Sequence, residues 1–339
     1  MDNDAHAAPR PVAFDPATRD LGVLVGFDGS KQSFLALHYG ALAAQRSGRV
    51  LTVVSAFHVP ARIYTTLIAV PEKSEAEVAV DAAKTVLAEA REYLKDYSGK
   101  VIYRTERGDA AGVLVDLSAL AELAVVGARG RGGFLGRVLG SVSSALPAHA
   151  HCPTVVVPRQ YKVNEPESQA EGAGRFIAGR DRRPVVVGID ASGQSRVAML
   201  QAALSAQNRG VTLHLLMALP SLEAWLEWYP ELDSPDESVT ERRKTQLEKT
   251  LETELALVKR HFPALEVTAS VKPGDPIAQL VKQTREAQLT VIGTRGRSGF
   301  TGALMGSVSR GVLLRAEGPV MVVPDLKDER LEDHPEPSR

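Results

Sequence analysis

The sequence predicts an α/β fold built from two tandem copies of one domain, each a parallel sheet flanked by helices. Three observations carry this prediction. The chain has 339 residues, which is more than twice the roughly 150 residues of a common domain. A segment of the first half recurs in the second half. Short apolar runs also alternate with amphipathic helical patterns, which is typical of crossover connections between parallel strands.

The internal repeat is clearest between residues 127–158 and 293–324, which are identical at 16 of 32 aligned positions without a gap. The same offset of 166 residues relates two Gly-Asp pairs, at 108–109 and 274–275. Near the front of each half, VGFDGS also resembles VGIDAS. A repeat of this length indicates a tandem duplication, so the prediction of two domains does not rest on length alone.

The elements of the first half follow from patterns in chain order. Apolar runs too short for helices predict buried strands, namely Leu21–Phe27, Val50–Phe57, Val101–Thr105, Leu123–Val126 and Thr154–Val157. Helices are predicted between them: from Ser30 to about Gly48, a long one carrying Ala83, Val86, Leu87, Ala90 and Leu94, then Ala110–Ala121, and one from Ser141. The second half repeats this order over 185–323, and its long helix carries Leu247, Leu251, Leu255, Val258 and Phe262.

Domain limits follow from where apolar periodicity stops. Residues 1–20 are expected to be a flexible tail, 21–159 the first domain, 160–183 a linker, 184–325 the second domain and 326–339 a second flexible tail. The tails and linker are rich in polar and charged residues and lack the periodicity of packed elements.

Charge and cysteine content exclude several classes of protein. Lys plus Arg number 40 against 41 Asp plus Glu, so the formal net charge of −1 gives no electrostatic footprint for nucleic acid. The single cysteine, Cys152, cannot pair within the chain, and the first residues lack the apolar core of a signal peptide. No apolar stretch approaches the roughly 18 residues of a membrane span. We therefore expect a cytoplasmic protein that neither binds nucleic acid nor inserts into a membrane.

A glycine motif, G-x2-G-x9-G-S, carries the chemical information. The first copy is Gly127, Gly130, Gly140 and Ser141, and the second is Gly293, Gly296, Gly306 and Ser307. Glycines directly after a buried strand allow backbone N–H groups to approach an anion, and the third glycine and the serine stand at the start of a helix. The pattern favours phosphate binding, with tight turns as the structural alternative. A P-loop motif is absent, and no dinucleotide fingerprint follows the first strand.

At these residues the sequence resembles the universal stress protein family, and specifically its tandem two-domain members with the ATP-binding type of glycine motif. The resemblance extends to the opening strand before Asp28 or Asp190, to the GDA or GDP helix start, and to the closing CPTVVVP or GPVMVVP strand. It implies a Rossmann-like domain with a five-stranded parallel sheet in each half, and pseudo-symmetric pairing of the two domains within the chain through their last strands. It also implies ATP, with ADP or AMP as alternatives, between the ends of the first, second and fourth strands.

The resemblance further implies roles for individual positions. Asp28 and Asp190 would lie near the nucleoside or near a Mg²⁺ ion that accompanies it. Adenine would meet Ala56, Val126, Leu216 and Ile292, of which Ala56 and Leu216 are aligned without a motif. Ribose and phosphates would contact Gly127, Gly130, Gly140, Ser141, Val142 and Ser143 in the first half, and Gly293, Gly296, Gly306, Ser307, Val308 and Ser309 in the second. Loop arginines would reach phosphate or remain solvated charges: Arg129, Arg131, Arg295 and Arg297.

Other chemical signals are weaker. His149, His151 and Cys152 resemble a ligand cluster, but the duplicated positions are Arg315, Glu317 and Gly318, so we expect no metal bound by side chains alone. His38, His58 and His214 are interpreted as packing or surface residues, and no catalytic triad or carboxylate pair is legible. The aromatic segment Trp225–Tyr229 is interpreted as core cover, with a lid or partner surface as the alternative.

The resemblance therefore implies an ATP-binding regulator in stress adaptation rather than a metabolic enzyme. A slow ATPase or phosphotransferase using the same phosphate cradle is the alternative, and a scaffold without nucleotide is a third. The expected partners are an adenine nucleotide, the other domain of the same chain, a second copy in a homodimer, and a protein whose identity the sequence does not give.

Overall fold

The computed structural model describes residues 12–15, 18–59, 73–131, 139–163, 176, 181–219, 237–296 and 305–331. The chain divides into two compact units. The first unit comprises residues 15–179, and the second combines the residues before 15 with those from 180 onward.

Strands and helices alternate along both units. The strands are β1 (Val12–Ala13), β2 (Gly22–Gly26), β3 (Leu51–Phe57), β4 (Val101–Arg107), β5 (Ala121–Gly127), β6 (Thr154–Val157), β7 (Val185–Gly188), β8 (Leu213–Leu219), β9 (Val267–Pro273), β10 (Leu289–Gly293), β11 (Val320–Val323) and β12 (Leu326–Lys327). The helices are α1 (Lys31–Ser47), α2 (Glu75–Tyr93), α3 (Ala110–Ser118), α4 (Ser141–His149), α5 (Gly193–Arg209), α6 (Glu237–His261), α7 (Pro276–Glu286) and α8 (Ser307–Arg315).

Each unit contains a parallel sheet of five strands. The strand order is β4-β3-β2-β5-β6 in the first unit and β9-β8-β7-β10-β11 in the second, with every described pairing within a unit parallel. The predicted tandem α/β fold with parallel sheets is confirmed. The strands are continuous apolar runs because helices cover both faces: Val185–Val187 of β7 are completely buried.

Local signals define the helix ends. Ser30 caps α1 by accepting a hydrogen bond from the N–H of Ser33, and Gly48 ends the helix with a positive φ of 65°. Ser74 and Glu77 form a reciprocal capping box at the start of α2. Side chains also cap α3, α5 and α7, through Asp109, Ser192 and Asp275 respectively. These caps fix where each helix begins relative to the sheet edge.

Helix α3 ends earlier than the sequence predicts. The predicted helix ran to Ala121, but the structure ends α3 at Ser118 and begins β5 at Ala121. The buried guanidinium of Arg19 donates hydrogen bonds to the carbonyl oxygens of Ser118 and Ala121, at 3.0 and 2.8 Å. This contact comes from about 100 residues away, so helical periodicity could not reveal it.

The structure also differs from the expected tails and linker. Val12–Ala13 and Leu326–Lys327, assigned to the two tails, pair as parallel strands β1 and β12 within the second unit. Phe176, assigned to the linker, is 4% exposed in the first unit and its ring stacks on that of His38 at 5.3 Å. Two-residue strands and a lone aromatic residue are too short to produce a periodic signal.

Candidate functional site

A cavity of about 510 Å³ lies at the carboxyl ends of β2, β3 and β5 in the first unit. Open α/β sheets bind ligands at this edge. The cavity is lined by all ten site residues that the sequence predicts for the first half, namely Asp28, Ala56, Val126, Gly127, Gly130, Arg131, Gly140, Ser141, Val142 and Ser143. Arg129 also lines it. The structure therefore brings together residues that are up to 115 positions apart in the sequence.

Two of the motif glycines are required by close protein contacts. A Cβ at Gly127 would lie 2.8 Å from the carbonyl oxygen of Gln32 in α1. A Cβ at Gly130 would lie 2.5 Å from Oδ2 of Asp28. Both distances are shorter than van der Waals contact, so these glycines allow the loop to pack against the first helix and its preceding turn.

Asp28 holds the glycine loop in place. Its Oδ1 accepts a hydrogen bond from the N–H of Ser30 and its Oδ2 accepts one from the N–H of Arg131, both at 2.9 Å. Burial raises the pKa of Asp28, but the hydrogen bonds from Ser30 and Arg131 outweigh burial and leave the pKa below its usual value. The carboxylate is consequently ionised at neutral pH and fixes the turn that carries the loop.

Gly140 differs from the other two glycines because no close protein contact requires it. A Cβ there would meet the Cα of Arg129 and the Oγ of Ser143 at 3.5 Å, which is ordinary contact. Its φ of −71° suits any residue. Gly140 is the N-cap of α4 but supplies no side-chain cap. Its missing side chain leaves the first turn of the helix open to the cavity, where N–H groups lack acceptors within the helix.

Ser143 joins the loop to the helix. Its hydroxyl donates to the carbonyl oxygen of Ala128 at 2.7 Å, and the N–H of Gly140 donates to the same oxygen at 3.1 Å. The hydroxyl also lies 3.1 Å from the carbonyl oxygen of Gly140. The Ser143 side chain thus stabilises the loop, while the backbone of the first helical turn faces the cavity.

The opposite wall of the cavity is apolar. Val54 and Ala56 come from β3, Val126 comes from β5, and Leu114 comes from the buried face of α3. Val54, Leu114 and Val126 are each at most 3% exposed. An apolar slot beside a cluster of backbone donors suits a ligand with a flat ring at one end and an anion at the other.

The second unit repeats the polar part of this arrangement. A Cβ at Gly296 would lie 2.7 Å from Oδ2 of Asp190, as at the first-half loop. The Ser309 hydroxyl donates to the carbonyl oxygen of Gly293 at 2.7 Å. Gly306 is again an N-cap without a side-chain cap, at the start of α8. Ser307 and Val308 lie in the first turn of that helix, and Ile292 directly precedes Gly293, the last residue of β10. Arg297 lies outside the described residues.

One position in the second half needs correction. Strand register pairs Gly26 with Val54 in the first unit and Gly188 with Leu216 in the second. Leu216 is therefore the counterpart of Val54. The counterpart of Ala56 is Ala218, two residues farther along β8, and both alanines are partly exposed. The second strand has no motif to anchor an alignment, so the sequence placed the position two residues early.

Several cavity residues were missed by the sequence reasoning. These are Gly26, Phe27, Ser33, Val54, Ala110, Leu114 and Leu139. A signal existed for two of them, because Ala110 and Leu114 are four residues apart on a helix that begins at the Gly-Asp pair, where the chain leaves the sheet edge. The others depend on loop and strand packing that the sequence does not display.

The histidines, the cysteine and the aromatic segment singled out in the sequence gain no functional role from the part of the chain that the structure describes. Within the described ranges, no group of three or more His, Cys, Asp and Glu side chains could hold a metal ion. Cys152 is completely buried, and burial raises its pKa to about 12. Nδ1 of His214 lies 2.8 Å from Oγ1 of Thr268, and its Nε2 lies 2.9 Å from Oγ of Ser270. The segment Trp225–Tyr229 lies outside the described residues.

Among the helices that the structure describes, none is both long enough and apolar enough to cross a bilayer.

Comparisons with known proteins follow the same division into halves. The model of the universal stress protein family matches residues 22–158 and 181–324. A universal stress protein of Mycobacterium tuberculosis is 34% identical over 312 residues, covering 89% of this chain and 96% of that protein. One from Mycolicibacterium smegmatis is 33% identical over 315 residues, covering 90% and 97%. The crystal structure of a universal stress protein from Archaeoglobus fulgidus has a TM-score of 0.60 at 18% identity, covering 91% of this chain and 99% of that one.

Proposed function

The chain belongs to the universal stress protein family, and on that premise we propose that it is a cytoplasmic regulator that binds ATP in each half. Its proposed role is in stress adaptation, where nucleotide binding orders the glycine loops and a partner protein reads the result. ADP or AMP would enter the same cradle with fewer phosphate contacts.

The observation that carries this proposal is the start of helices α4 and α8. Helices α1, α2, α3, α5 and α7 each have a side-chain cap, whereas α4 and α8 begin at glycines that supply none. In the first unit the uncapped turn opens on the cavity. Backbone N–H groups and the positive end of a helix dipole favour a phosphate at such a turn.

The remaining cavity chemistry suits an adenine nucleotide. The slot between Val54, Val126 and Leu114 would receive the base, since flat aromatic rings prefer apolar walls. Arg129 and Arg131 also line the cavity, and a guanidinium group can donate hydrogen bonds to phosphate oxygens. Oxygen ligands suit Mg²⁺, so a magnesium ion bound with the triphosphate would lie near Asp28, and near Asp190 in the second half.

A slow ATPase or phosphotransferase is the alternative function. Asp28 is the acidic residue among those lining the cavity. Burial raises its pKa, but hydrogen bonds from the side chain and backbone of Ser30 and from the backbone of Arg131 hold it below its usual value. A carboxylate with a low pKa is a weak general base. This favours binding over hydrolysis.

The test is to load the purified chain with saturating ATP, remove free nucleotide, denature the protein after timed incubation and identify what is released. Unchanged ATP supports the regulator. Accumulation of ADP, absent from a Gly140→Val, Gly306→Val double variant, favours the enzyme. Release of no nucleotide after saturation would contradict the proposed function.

A further inference from the structure

We infer that the two halves bind adenine nucleotide unequally, and that the first half has the higher affinity because larger side chains narrow the base slot of the second. This inference rests on the proposed function and concerns the affinity of each site rather than the existence of binding.

The base slot differs at two positions that strand register makes equivalent. Val54 stands beside Gly26, and Leu216 stands beside Gly188. On the other side of these glycines, in β5 and β10, Val126 precedes Gly127 and Ile292 precedes Gly293. The second half therefore carries one additional carbon at each of two neighbouring wall positions.

The helix that forms another part of the wall is not farther from the sheet in the second unit. A Cβ at Gly26 would lie 2.7 Å from Cδ1 of Leu114, and a Cβ at Gly188 would lie 2.8 Å from Cδ2 of Leu280. Helices α3 and α7 thus approach their sheets equally closely.

Val126 and Ile292 also lie at similar distances from these glycines in the two halves. A Cβ at Gly26 would lie 3.3 Å from Cγ1 of Val126, and a Cβ at Gly188 would lie 3.5 Å from Cγ2 of Ile292. Because Ala56 and Ala218 are identical, the larger residues are not offset by a smaller neighbour on β8.

The phosphate side differs as well. In the first unit the guanidinium of Arg131 lies against the bare Cα of Gly29 while it lines the cavity. The residue of the second unit that is equivalent to Gly29 is Ala191, whose φ is 62°. Its methyl group occupies the place that the guanidinium takes in the first unit.

The expected difference in affinity follows from packing. One surplus methylene in a pocket that fits its ligand changes discrimination by about tenfold or more. Two surplus methylenes in the second half predict a dissociation constant for ATP that is at least roughly tenfold higher than in the first half.

The experiment measures ATP affinity by calorimetry in single-site variants. Gly306→Val leaves the first site and Gly140→Val leaves the second. We expect the Gly306→Val variant to bind ATP at least about tenfold more tightly than the Gly140→Val variant does. Adding Leu216→Val and Ile292→Val to the Gly140→Val variant should tighten binding, whereas Leu204→Val, at an exposed leucine of α5, should not.

The reverse exchange, which places the larger residues in the first site, is the complementary test. Val54→Leu and Val126→Ile, added to the Gly306→Val variant, should weaken ATP binding toward the affinity of the second site. Equal affinities in the two single-site variants, or tighter binding at the second site, overturn the inference and leave the proposed function intact. Absence of ATP binding in the wild type and in both variants overturns the proposed function, and the inference with it.

Discussion

The carboxylate of Asp28 accepts a hydrogen bond at 2.9 Å from the backbone N–H of Arg131, 103 residues farther along the chain. This bond ties the turn after the first strand of the unit to the loop after its fourth. Asp190 and Gly296 approach each other in the same way in the second unit. Contacts within the protein therefore hold the glycine loop at the sheet edge without a ligand.

Gly130→Ala is expected to break this fastening. The new Cβ would lie 2.5 Å from Oδ2 of Asp28, and overpacking of this kind costs about 1–3 kcal/mol. Urea unfolding should show that loss of stability, and ATP binding should weaken. Gly112→Ala in α3 is the matched control, because its Cβ would meet nothing within 4 Å and alanine favours a helix by about 1 kcal/mol. Equal stability of the two variants would contradict the role of Asp28.

Asp28→Asn is expected to change how stability depends on pH. The pKa of Asp28 is lowered in the folded chain, so the carboxylate stabilises the fold fully above its unfolded pKa of about 3.9. That contribution is lost as the pH falls through the lower folded pKa. The difference in unfolding free energy between wild type and variant should be largest at neutral pH and shrink below about pH 4. A difference that stays constant from neutral to acidic pH would argue against the ionised carboxylate.

Ala191→Gly is expected to stabilise the chain. Ala191, at φ 62°, is the non-glycine residue with positive φ among those described. An L-residue in that conformation costs about 1–2 kcal/mol, and the greater freedom of glycine in the unfolded chain offsets about 0.4–1 kcal/mol. Gly29→Ala, the converse change at φ 75°, should destabilise. Thermal unfolding of both variants measures the pair, and destabilisation by Ala191→Gly would contradict the strain.

Lys272→Ala is expected to raise the pKa of His214. Burial lowers that pKa, and the positive charge of Lys272 lowers it further. NMR titration of the imidazole should detect the upward shift, and an unchanged pKa would show that the lysine charge is not felt. Because the folded pKa of His214 is depressed, the unfolded chain binds more protons, so stability should decline as the pH falls below about 6.5. His214→Asn should reduce that decline.

Much of the fold could be predicted because its signals are local. Buried parallel strands such as Val185–Gly188 are continuous apolar runs, and Ser30 and Asp109 cap helices at short range. The duplication then transferred each assignment to the other half. The glycine motif also predicts that its residues meet at the carboxyl edge of the sheet, and they line a cavity there. The contact with Asp28 rather than a ligand explains why Gly130 must lack a side chain.

Other features depend on distant contacts and could not be predicted. At the end of α3 the guanidinium of Arg19 binds the carbonyl oxygens of Ser118 and Ala121, and the buried Phe176 stacks on the ring of His38. Ala218 was missed because β8 carries no motif that fixes its alignment with β3. Strand register, visible only in the structure, supplies that alignment.

The most direct test of the central claim is the number of ATP molecules bound per chain at saturation, measured by equilibrium dialysis. Two should bind to the wild type, one to Gly140→Val or Gly306→Val, and none to the double variant. Val is compatible with the backbone of Gly140, at φ −71° and ψ 167°, so that variant should fold. Ser144→Val and Arg310→Val, at exposed positions of the same helices, should retain two. A wild type that binds no ATP, or a double variant that still binds two, would contradict the claim that these helix starts hold the nucleotide.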